Sequence, residues 1–310
     1  MTSKKDRAIV VSALKHAAPY IRLFKGKVFV LKVGGAVFAD RSQTKDFMEQ
    51  VGILHQVGIR VVLVHGGGPQ STELATALGV DTAFIDGRRV TNSESLDVAT
   101  MVLNGQINTR ILAACRDLQI PAVGISGIDA GLIRAHRRPP VEREGQSPVD
   151  YGFVGDIDAV DADIVCKQLD NGLMPVISPI SCDESGVVLN INADTVAAAI
   201  AAELDAEKLI IATGAPGILE DVNDPQSLIS YIDRTALSAL QAEGKLADGM
   251  LPKAAAIDSA LANGVKRVHI ISYKLPDSLL LEVFTNEGTG TLVVNSTDAL
   301  TPAEQGDEPS

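Results

Sequence analysis

Short apolar runs alternate along the chain with longer segments in which apolar residues recur at helical spacing. The short runs are rich in Val and Ile and predict strands buried on both faces, as in a parallel sheet; they read VFVLKV, RVVLVHG, AVGI, MPVISPI, KLIIAT and RVHIIS. The longer segments predict helices, several of which end at Gly; they read TKDFMEQVGILHQVG, QSTELATALG, SESLDVATMVLNGQINTRILAACRDLQ, ADTVAAAIAAELDAE, ALSALQAEG and LPKAAAIDSALANG. This alternation predicts an α/β fold, in which a mainly parallel sheet is covered by helices on both faces.

Three further segments interrupt this pattern. Residues 134–151, RAHRRPPVEREGQSPVDY, are charged and contain Pro, which predicts a protruding hairpin or loop. A boundary between two lobes is predicted near SCDESGVV, residues 181–188. From Ser296 onward the sequence STDALTPAEQGDEPS predicts a disordered acidic tail.

Composition and charge narrow the function classes. The 310 residues suit one large α/β domain or two lobes. No apolar stretch approaches the ~18 residues that span a bilayer, and the first residues lack the pattern of a secretory signal, so a cytoplasmic protein without a membrane partner is expected. The net charge of −12 argues against a nucleic-acid partner, and it means that an anionic substrate needs a local cluster of cations. The cysteines, Cys115, Cys166 and Cys182, show no CxxC spacing, which argues against a disulfide framework or a zinc site.

Two glycine-rich segments follow predicted strands. In VFVLKVGG, Lys32 lies at the end of a buried strand, where an ammonium group is costly without an anion beside it, and Gly34 and Gly35 follow. In VVLVHGGGPQ, three glycines lie between a strand and a helix. This loop is either a tight turn or an anion site in which backbone N–H groups and the helix start face the ligand. The chain contains neither the GxxxxGK[ST] loop nor the GxGxxG fingerprint, which argues against a Walker site or a Rossmann cofactor site.

A third polar segment, VVLNINADTV, precedes a predicted helix. Asn190, Asn192 and Asp194 alternate, so their side chains are expected on one side of an extended stretch. Either Asn192 or Asp194 can cap the helix that follows.

Two cationic segments also lie near predicted helix starts. In DGMLPKAAAI, Lys253 opens a helix, where a cation is unfavourable with the helix dipole, so a solvated surface lysine is the alternative to a functional one. In GRRVTNSESL, Arg88 and Arg89 precede a helix capped by Thr91 or Asn92.

Taken together, these residues suggest phosphoryl transfer, which needs positioning and cations around a charged transition state. Lys32 and Lys253 are the candidate cations, and Asp194 is the candidate residue that orients them. The glycine loops are candidates to cradle phosphates. Arg89 is the candidate to hold a substrate carboxylate through its bidentate fork.

An ordered set of motifs between about residues 19 and 294 resembles the amino-acid kinase superfamily and, within it, the N-acetylglutamate kinases. The motifs are LKVGGAV, VHGGGPQ, GRRVT, MVLNGQIN, AVGISGIDAGLI, MPVISPI, NINADTVAAAIAAEL, PGIL, DGMLPKAAAI and GTGTLVV. The resemblance implies an open αβα sandwich, with an amino-acid-substrate lobe at 25–185 and a nucleotide-binding lobe at 186–295, flanked by an oligomerisation helix at 1–24 and the tail at 296–310. It also implies ATP-dependent phosphorylation of the γ-carboxylate of N-acetyl-L-glutamate, with Mg²⁺ bound to the nucleotide, in arginine biosynthesis.

The same resemblance assigns roles to individual residues. It implies that Lys32 and Lys253 stabilise the transition state and that Asp194 organises them. It implies substrate contacts by Gly67, Gly68, Arg89, Asn190 and Asn192, and phosphate contacts by Gly34, Gly35 and Gly66; it assigns no protein side chain to the metal. The chain departs from the family at TGAPG, where Gly214 replaces a usual acidic residue, and also at GRRVT and SGIDAG. The change at Gly214 bears on ATP affinity more than on the type of reaction.

The leading segment RAIVVSALKHAAPYIRLFKGK predicts a helix before the first core strand. One face of this helix carries Val10, Leu14, Ala17 and Ile21, and it packs either on a partner or back on its own subunit. Such a helix resembles that of arginine-sensitive acetylglutamate kinases, which implies a hexamer, a trimer of dimers, inhibited by L-arginine. The implied effector site comprises Tyr20, Lys208, His269, Glu282 and Gly288, in which Glu282 pairs with the arginine guanidinium and Lys208 receives its carboxylate.

Two other functions compete with this interpretation. One is a related acyl-phosphate kinase that acts on an aspartate, glutamate or aminoadipate derivative; the long match in the first half of the chain argues against it. The other is a regulatory protein that binds arginine or acetylglutamate without catalysis. The presence of Lys32, Asp194 and Lys253 together argues against this second alternative, because a sensor does not need both lysines.

Overall fold

The computed structural model describes residues 4–300 except 86–87, 144, 222, 225, 247–248 and 287. Within these residues the strands are β1 (Val28–Val33), β2 (Arg60–His65), β3 (Ala83–Ile85), β4 (Arg88–Val90), β5 (Ala122–Ser126), β6 (Ile133–Arg137), β7 (Val141–Arg143), β8 (Gln146–Val149), β9 (Gly155–Val160), β10 (Met174–Ser178), β11 (Ile180–Cys182), β12 (Val188–Asn190), β13 (Lys208–Thr213), β14 (Tyr231–Asp233), β15 (Val268–Ser272) and β16 (Thr291–Val294). The α-helices are α1 (Lys4–Phe24), α2 (Arg41–Gln56), α3 (Gly68–Leu78), α4 (Ser93–Thr100), α5 (Asn108–Asp117), α6 (Asp163–Asp170), α7 (Ala193–Glu203), α8 (Arg234–Ala242), α9 (Leu251–Ala262) and α10 (Ser278–Phe284).

The main sheet has eight strands in the order β14-β16-β15-β13-β1-β2-β10-β5. All six strands predicted from apolar runs belong to it and pair in parallel, whereas β16 pairs antiparallel with β15. Alternate residues of β1 enter opposite cores: Val30 packs in one cluster with α7 and α9, and Phe29 and Leu31 pack in the other with α2 and α5. The predicted α/β sandwich is therefore confirmed.

A second sheet of four strands, β12-β11-β6-β9, lies beside the main sheet. The segment 134–151 contains the antiparallel pair of β7 and β8, so the hairpin is the correct one of the two predicted forms. β11 and β12 also form an antiparallel pair. The expected lobe boundary between 185 and 186 therefore falls inside a hairpin, and β12 belongs to the sheet of the first half of the chain.

The long helix predicted over residues 93–119 contains a change of winding. Met101–Ile107 is a π-helical segment between α4 and α5. Such segments insert extra backbone into a helix and are frequent near functional sites. Here Leu103 of this segment lines the cavity described below, and Ile107 packs under the glycine loop.

Among the side chains of α1 that the structure describes, those of the last turns pack on the rest of the chain. Phe24 is buried and meets Phe29 with ring centroids 5.2 Å apart. Ala17 and Ile21 of the predicted apolar face are half-buried, whereas Leu14 remains 66% exposed. The side chain of Val10 lies outside the described residues. Ile9 and Val11 are also exposed, so Ile9, Val11 and Leu14 present an apolar surface in the isolated subunit; Leu23, in the last turn, is exposed as well.

The predicted disorder of the tail is wrong for residues 296–300. Thr297–Ala299 forms a 3₁₀ turn capped by Ser296, whose hydroxyl accepts the N–H of Asp298 at 3.3 Å. Leu300 is buried against Leu292 and Val294 of β16. This apolar contact fixes the start of the segment, and residues 301–310 lie outside the described residues. Within the described part of the chain, no helix is long and apolar enough to span a membrane.

Candidate active site

A cavity of about 360 Å³ opens where β1 and β2 end, next to the second sheet. It brings together residues that are far apart in sequence. Of the predicted site residues, its lining includes Lys32, Gly66, Gly67, Gly68, Arg89, Asn190, Asn192 and Asp194. Gly34, Gly35 and Lys253 are not part of the lining. Gly35 contacts it through Gly67 and Lys253 through Asp194, whereas Gly34 precedes Gly35 in the chain.

Two lysines meet one carboxylate at the wall of this cavity. Lys32 Nζ lies 2.9 Å from Asp194 Oδ1, and Lys253 Nζ lies 3.4 Å from Asp194 Oδ2. Burial lowers the pKa of Lys32, and the charge of Lys253 lowers it further, while Asp194 opposes this shift. Burial alone raises the pKa of Asp194, but the charges of Lys32 and Lys253 outweigh it and hold that pKa below its ordinary value. Lys32, Lys253 and Asp194 together therefore carry a net positive charge in a largely buried region at the cavity lining, which favours the binding of an anion.

The chain path around Asp194 differs from the one predicted. The extended stretch ends at Asn192, whose side chain caps α7 by accepting the N–H groups of Asp194 at 2.8 Å and Thr195 at 3.3 Å. Asp194 is thus in the first helical turn, and the expectation that it shares one side of a strand with Asn190 is wrong. All three side chains still line one cavity, because the helix starts directly beneath it.

The alternative of a surface lysine is wrong for Lys253. Its side chain is 20% exposed, and its Nζ also donates to the carbonyl of Gly249 at 3.3 Å. The ion pair with Asp194 compensates the unfavourable position of a cation in the first turn of α9. The sequence named both residues as candidates for one site, but only the fold shows their contact, because 59 residues separate them along the chain.

The two glycine loops touch each other. A Cβ at Gly35 would lie 2.7 Å from the Cα of Gly67, and a Cβ at Gly67 would lie 2.5 Å from Ile107 Cδ1. Gln70 joins the loops by donating its Nε2 to the carbonyl of Gly35 at 2.6 Å. The N–H of Gly66 already donates to the carbonyl of Val33 at 2.9 Å, so Gly66 lines the cavity without a free N–H for a phosphate.

Arg89 also lines the cavity. Its Nη2 donates to Thr72 Oγ1 at 2.6 Å, and its guanidinium lies 4.7 Å from the ring centroid of Phe84. Burial lowers the pKa of Arg89. The next helix, α4, is capped by Asn92 rather than by Thr91, which is fully buried. The side chain of Arg88 lies outside the described residues.

Among the cavity residues that sequence reasoning missed are Arg138 and Tyr151. Both lie in the segment that was predicted to protrude, and both flank the β7–β8 hairpin. Arg138 pairs with Asp156 through Nη2 at 2.5 Å and lies 5.9 Å from the ring centroid of Tyr151. The available signal was an arginine pair followed by an aromatic residue within a charged loop.

A polar layer supports the glycine loop from below. His65 is fully buried at the end of β2, and burial lowers its pKa to about 4. Asn108 Nδ2 lies 3.3 Å from His65 Nε2 and donates to the carbonyl of Val176 at 3.1 Å. This layer links the end of β2 to β10 and α5.

The residues of the implied effector site also converge, away from the cavity. Lys208 Nζ lies 3.0 Å from His269 Nε2, and His269 Nδ1 lies 2.6 Å from Glu282 Oε1. Burial lowers the pKa of His269 to about 4; burial alone would raise the pKa of Glu282, but the interaction with His269 brings it to about 2. Gly288 has a φ of 60°, and a Cβ there would lie 2.9 Å from Glu282 Oε2. Tyr20 donates to Asn286 and so ties α1 to this region.

The structure also bears on metal binding and on Gly214. No group of three or more His, Cys, Asp or Glu side chains is placed to hold a metal within the part of the chain that the structure describes. A Cβ at Gly214 would lie 3.4 Å from Tyr273 Oη and 3.5 Å from Lys274 Cε. An acidic side chain at this position would therefore lie beside a lysine.

Fold and site together define a small-molecule kinase. The model of the amino acid kinase family matches residues 27–272, so the chain belongs to that family. The acetylglutamate kinase of Myxococcus xanthus (strain DK1622) is 47% identical over 289 residues, covering 91% of this chain and 94% of that protein. That of Symbiobacterium thermophilum is 45% identical over 289 residues, covering 93% and 98%. Within the family, the chain belongs with the acetylglutamate kinases.

A solved relative shares the fold in a longer chain. The N-acetylglutamate synthase of Neisseria gonorrhoeae, complexed with coenzyme A and N-acetyl-glutamate, aligns with a TM-score of 0.81 at 28% identity and covers 93% of this chain. This chain spans 64% of the length of that synthase. The synthase complexed with coenzyme A and L-arginine aligns with a TM-score of 0.80 at 27% identity.

Proposed function

We propose that the enzyme transfers the γ-phosphoryl group of ATP to the γ-carboxylate of N-acetyl-L-glutamate, giving N-acetyl-L-glutamyl 5-phosphate and ADP in arginine biosynthesis. The observation that carries the proposal is the single cavity whose lining brings Lys32 and Asp194 together with Arg89 and Asn190. Such a cavity suits a substrate with a carboxylate to hold and a second carboxylate to phosphorylate.

The reaction needs no general base, because the attacking carboxylate is already ionised. One of its oxygens forms a bond to the γ-phosphorus as the bond from that phosphorus to the β–γ bridging oxygen breaks, and the electron pair leaves on ADP. Lys32 and Lys253 then face charge that develops on the transferred group and on the leaving oxygen, which is where fixed cations lower a barrier. Asp194 touches both lysines and holds their separation.

Mg²⁺ enters the proposal bound to the phosphates of ATP. Both oxygens of Asp194 face lysines, at 2.9 Å and 3.4 Å, so this carboxylate fits a structural role better than a metal ligand. When bound, the ion neutralises phosphate charge. Gly34 and Gly35 are proposed to let the phosphates approach the backbone. Gly67, Gly68 and Asn192 are proposed to contact the substrate from their places in the lining.

A coupled assay of ADP release tests this function. Purified protein with ATP and Mg²⁺ is given N-acetyl-L-glutamate, N-acetyl-L-aspartate or free glutamate side by side. We expect N-acetyl-L-glutamate to be the preferred acceptor. A preference for either other substrate would assign a different acyl-phosphate kinase activity.

We also propose that L-arginine inhibits the enzyme and that the assembly is a hexamer built as a trimer of dimers. Two observations support this: the convergence of Lys208, His269 and Glu282 beside the end of α1, and the exposed apolar residues on the first turns of α1. A helix shared between subunits gives an effector an interface to bias.

Truncation tests the assembly separately from the effector site. Removing residues 1–16 takes away the exposed turns but leaves Tyr20 and the buried Phe24 in place. We expect light scattering to show hexamers for the full chain and active dimers with weakened arginine inhibition for the truncated one. A dimeric full-length protein, or a rate unchanged by millimolar arginine, would contradict this part of the proposal alone.

A further inference from the structure

Arg138 is a second guanidinium in the cavity wall. It lies just after β6, its side chain is 18% exposed, and it belongs to the same lining as Arg89. Asp156 of β9 binds one edge of the guanidinium, through Nε at 3.0 Å and Nη2 at 2.5 Å. Within the described residues the bonds of this guanidinium come from Nε and Nη2, so its Nη1 end is available as a donor, since guanidinium presents five N–H groups in a fixed fork.

One short backbone segment connects Arg138 with the other substrate-side residues. The carbonyl of Tyr151 accepts the N–H of Thr91, which lies two residues after Arg89, at 2.9 Å. The carbonyl of Phe153 accepts the N–H of Asn190 at 2.9 Å, and the carbonyl of Val154 accepts the N–H of Arg138 at 2.8 Å. Residues 151–154 therefore fix the relative positions of three strands. They thereby also fix the positions of Arg89, Asn190 and Arg138, the polar residues that these strands bring to the cavity.

The ring of Tyr151 stiffens this arrangement. It is 4% exposed, lines the cavity and lies 5.9 Å from the guanidinium of Arg138. The Arg138 guanidinium is held by Asp156 at one edge and by the nearby ring of Tyr151. It therefore loses little conformational entropy when it binds a carboxylate. Asp156 is itself 36% exposed, so its charge is partly screened by water and only partly cancels that of Arg138.

We propose that Arg138 is a substrate-binding residue that, together with Arg89, holds the carboxylate of the acidic amino-acid substrate that is not phosphorylated. The inference rests on the proposed function, because it assumes a dicarboxylate acceptor. Lys32 and Lys253 supply cations for the transferred group, and the two arginines supply them for the carboxylate that anchors the substrate. Asp156 fixes the orientation of the Arg138 guanidinium, and it weakens the binding of the substrate carboxylate because the two acids compete for the same cation.

The test compares Arg138→Met with Asp156→Asn in the full-length enzyme. For Arg138→Met we expect the KM for N-acetyl-L-glutamate to rise about tenfold, the worth of one charged hydrogen bond, with kcat and the KM for ATP within about threefold. For Asp156→Asn we expect an equal or lower KM for N-acetyl-L-glutamate, since the competing acid is gone. Arg138→Lys keeps the charge and is expected to fall between wild type and Arg138→Met.

Arg234→Met is the matched control. Arg234 also pairs with an aspartate, Asp258, through its Nε at 2.8 Å, but it does not line the cavity. Its kinetic constants are expected to match wild type. If Arg138→Met and Asp156→Asn raise the KM equally, Arg138 serves only to latch the hairpin and the inference is overturned.

The inference and the proposed function fail in different ways. Titration calorimetry of the wild-type enzyme with N-acetyl-L-glutamate measures binding without turnover. If the wild type neither binds nor phosphorylates this substrate, the proposed function is lost. If the wild type binds it and Arg138→Met binds it equally well, only the role of Arg138 is lost.

Discussion

At the scale of single residues, the site depends on a cation that burial disfavours. Lys32 is 6% exposed, and its ammonium group is stabilised by Asp194 rather than by water. Removing one member of such a buried pair leaves an uncompensated charge, which makes these residues sensitive to substitution.

Lys32→Met is expected to lower kcat by about 10²–10³, because one fixed cation at the developing charge is lost. Lys253→Met is expected to act in the same direction. Steady-state kinetics measure the effect, and circular dichroism checks folding. Lys266→Met is the control, since Lys266 is exposed and its ion pair with Glu207, at 3.5 Å, lies outside the cavity lining. A folded Lys32→Met enzyme with the turnover of wild type would remove Lys32 from the mechanism.

Arg89→Met is expected to raise the KM for acetylglutamate by about tenfold or more while leaving the KM for ATP nearly unchanged, since a charged hydrogen bond to a substrate carboxylate is lost. Arg60→Met is a control, because Arg60 starts β2, at the end of the strand opposite the glycine loop, and pairs there with Asp170. A rise in the KM for ATP alone would assign Arg89 to the nucleotide site instead of the acetylglutamate site.

At the scale of elements, the segment around Gly152 decides where three strands of the site lie. Gly152 has a φ of 75°, and a Cβ there would lie 2.2 Å from the carbonyl oxygen of Thr91. The isolated bridge between Thr91 and Gly152 thus requires a glycine on both conformational and steric grounds.

Gly152→Ala is expected to lower the free energy of unfolding by more than about 3 kcal/mol, because the backbone must move apart. Gly145→Ala is the matched control: its φ is 70°, but a Cβ there would meet no atom within 4 Å. That variant carries only the conformational strain of about 1 kcal/mol. Urea titration measures both. Equal losses in the two variants would show that the contact with Thr91 does not matter.

At the scale of the whole molecule, two buried histidines connect folding to pH. Burial lowers the pKa of His65 and of His269 from 6.5 to about 4. One histidine supports the glycine loop, and the other belongs to the cluster with Glu282. Between pH 6.5 and 4 the unfolded chain therefore binds more protons than the folded protein does.

Above pH 6.5, these two histidines are expected to leave the free energy of unfolding nearly unchanged. As the pH drops from 6.5 toward 4, their protonation in the unfolded chain is expected to lower it. Lowering one pKa from 6.5 to about 4 corresponds to roughly 3 kcal/mol in full, of which about 2 kcal/mol is lost by pH 5. Urea titrations at several pH values measure the slope. His65→Gln should reduce it, whereas replacement of the exposed His16 should not; an unchanged slope in His65→Gln would contradict the assignment.

The sequence by itself determined the elements whose cause is local. The period of apolar residues fixed the six parallel strands and most helices, since a buried strand or an amphipathic helix needs its pattern wherever it lies. Gly35 and Gly67 were also visible as candidates, because only glycine allows two backbones to approach so closely. Lys32, Asp194 and Arg89 were candidates from their residue types and their places in the pattern, and the resemblance to a known family made their expected roles specific.

Only the tertiary structure decided the contacts between distant parts of the chain. Lys253 was ambiguous until α7 and α9 packed side by side and brought it to Asp194. Arg138 stood in a charged segment that looked solvated, and it became part of the cavity because residues 151–154 tie its strand to those of Arg89 and Asn190. The start of the tail looked disordered by composition, yet one apolar contact of Leu300 fixes it. The periodicity of apolar residues shows which side of a segment is buried. Ion pairs and cavities depend instead on which distant segments the fold brings together.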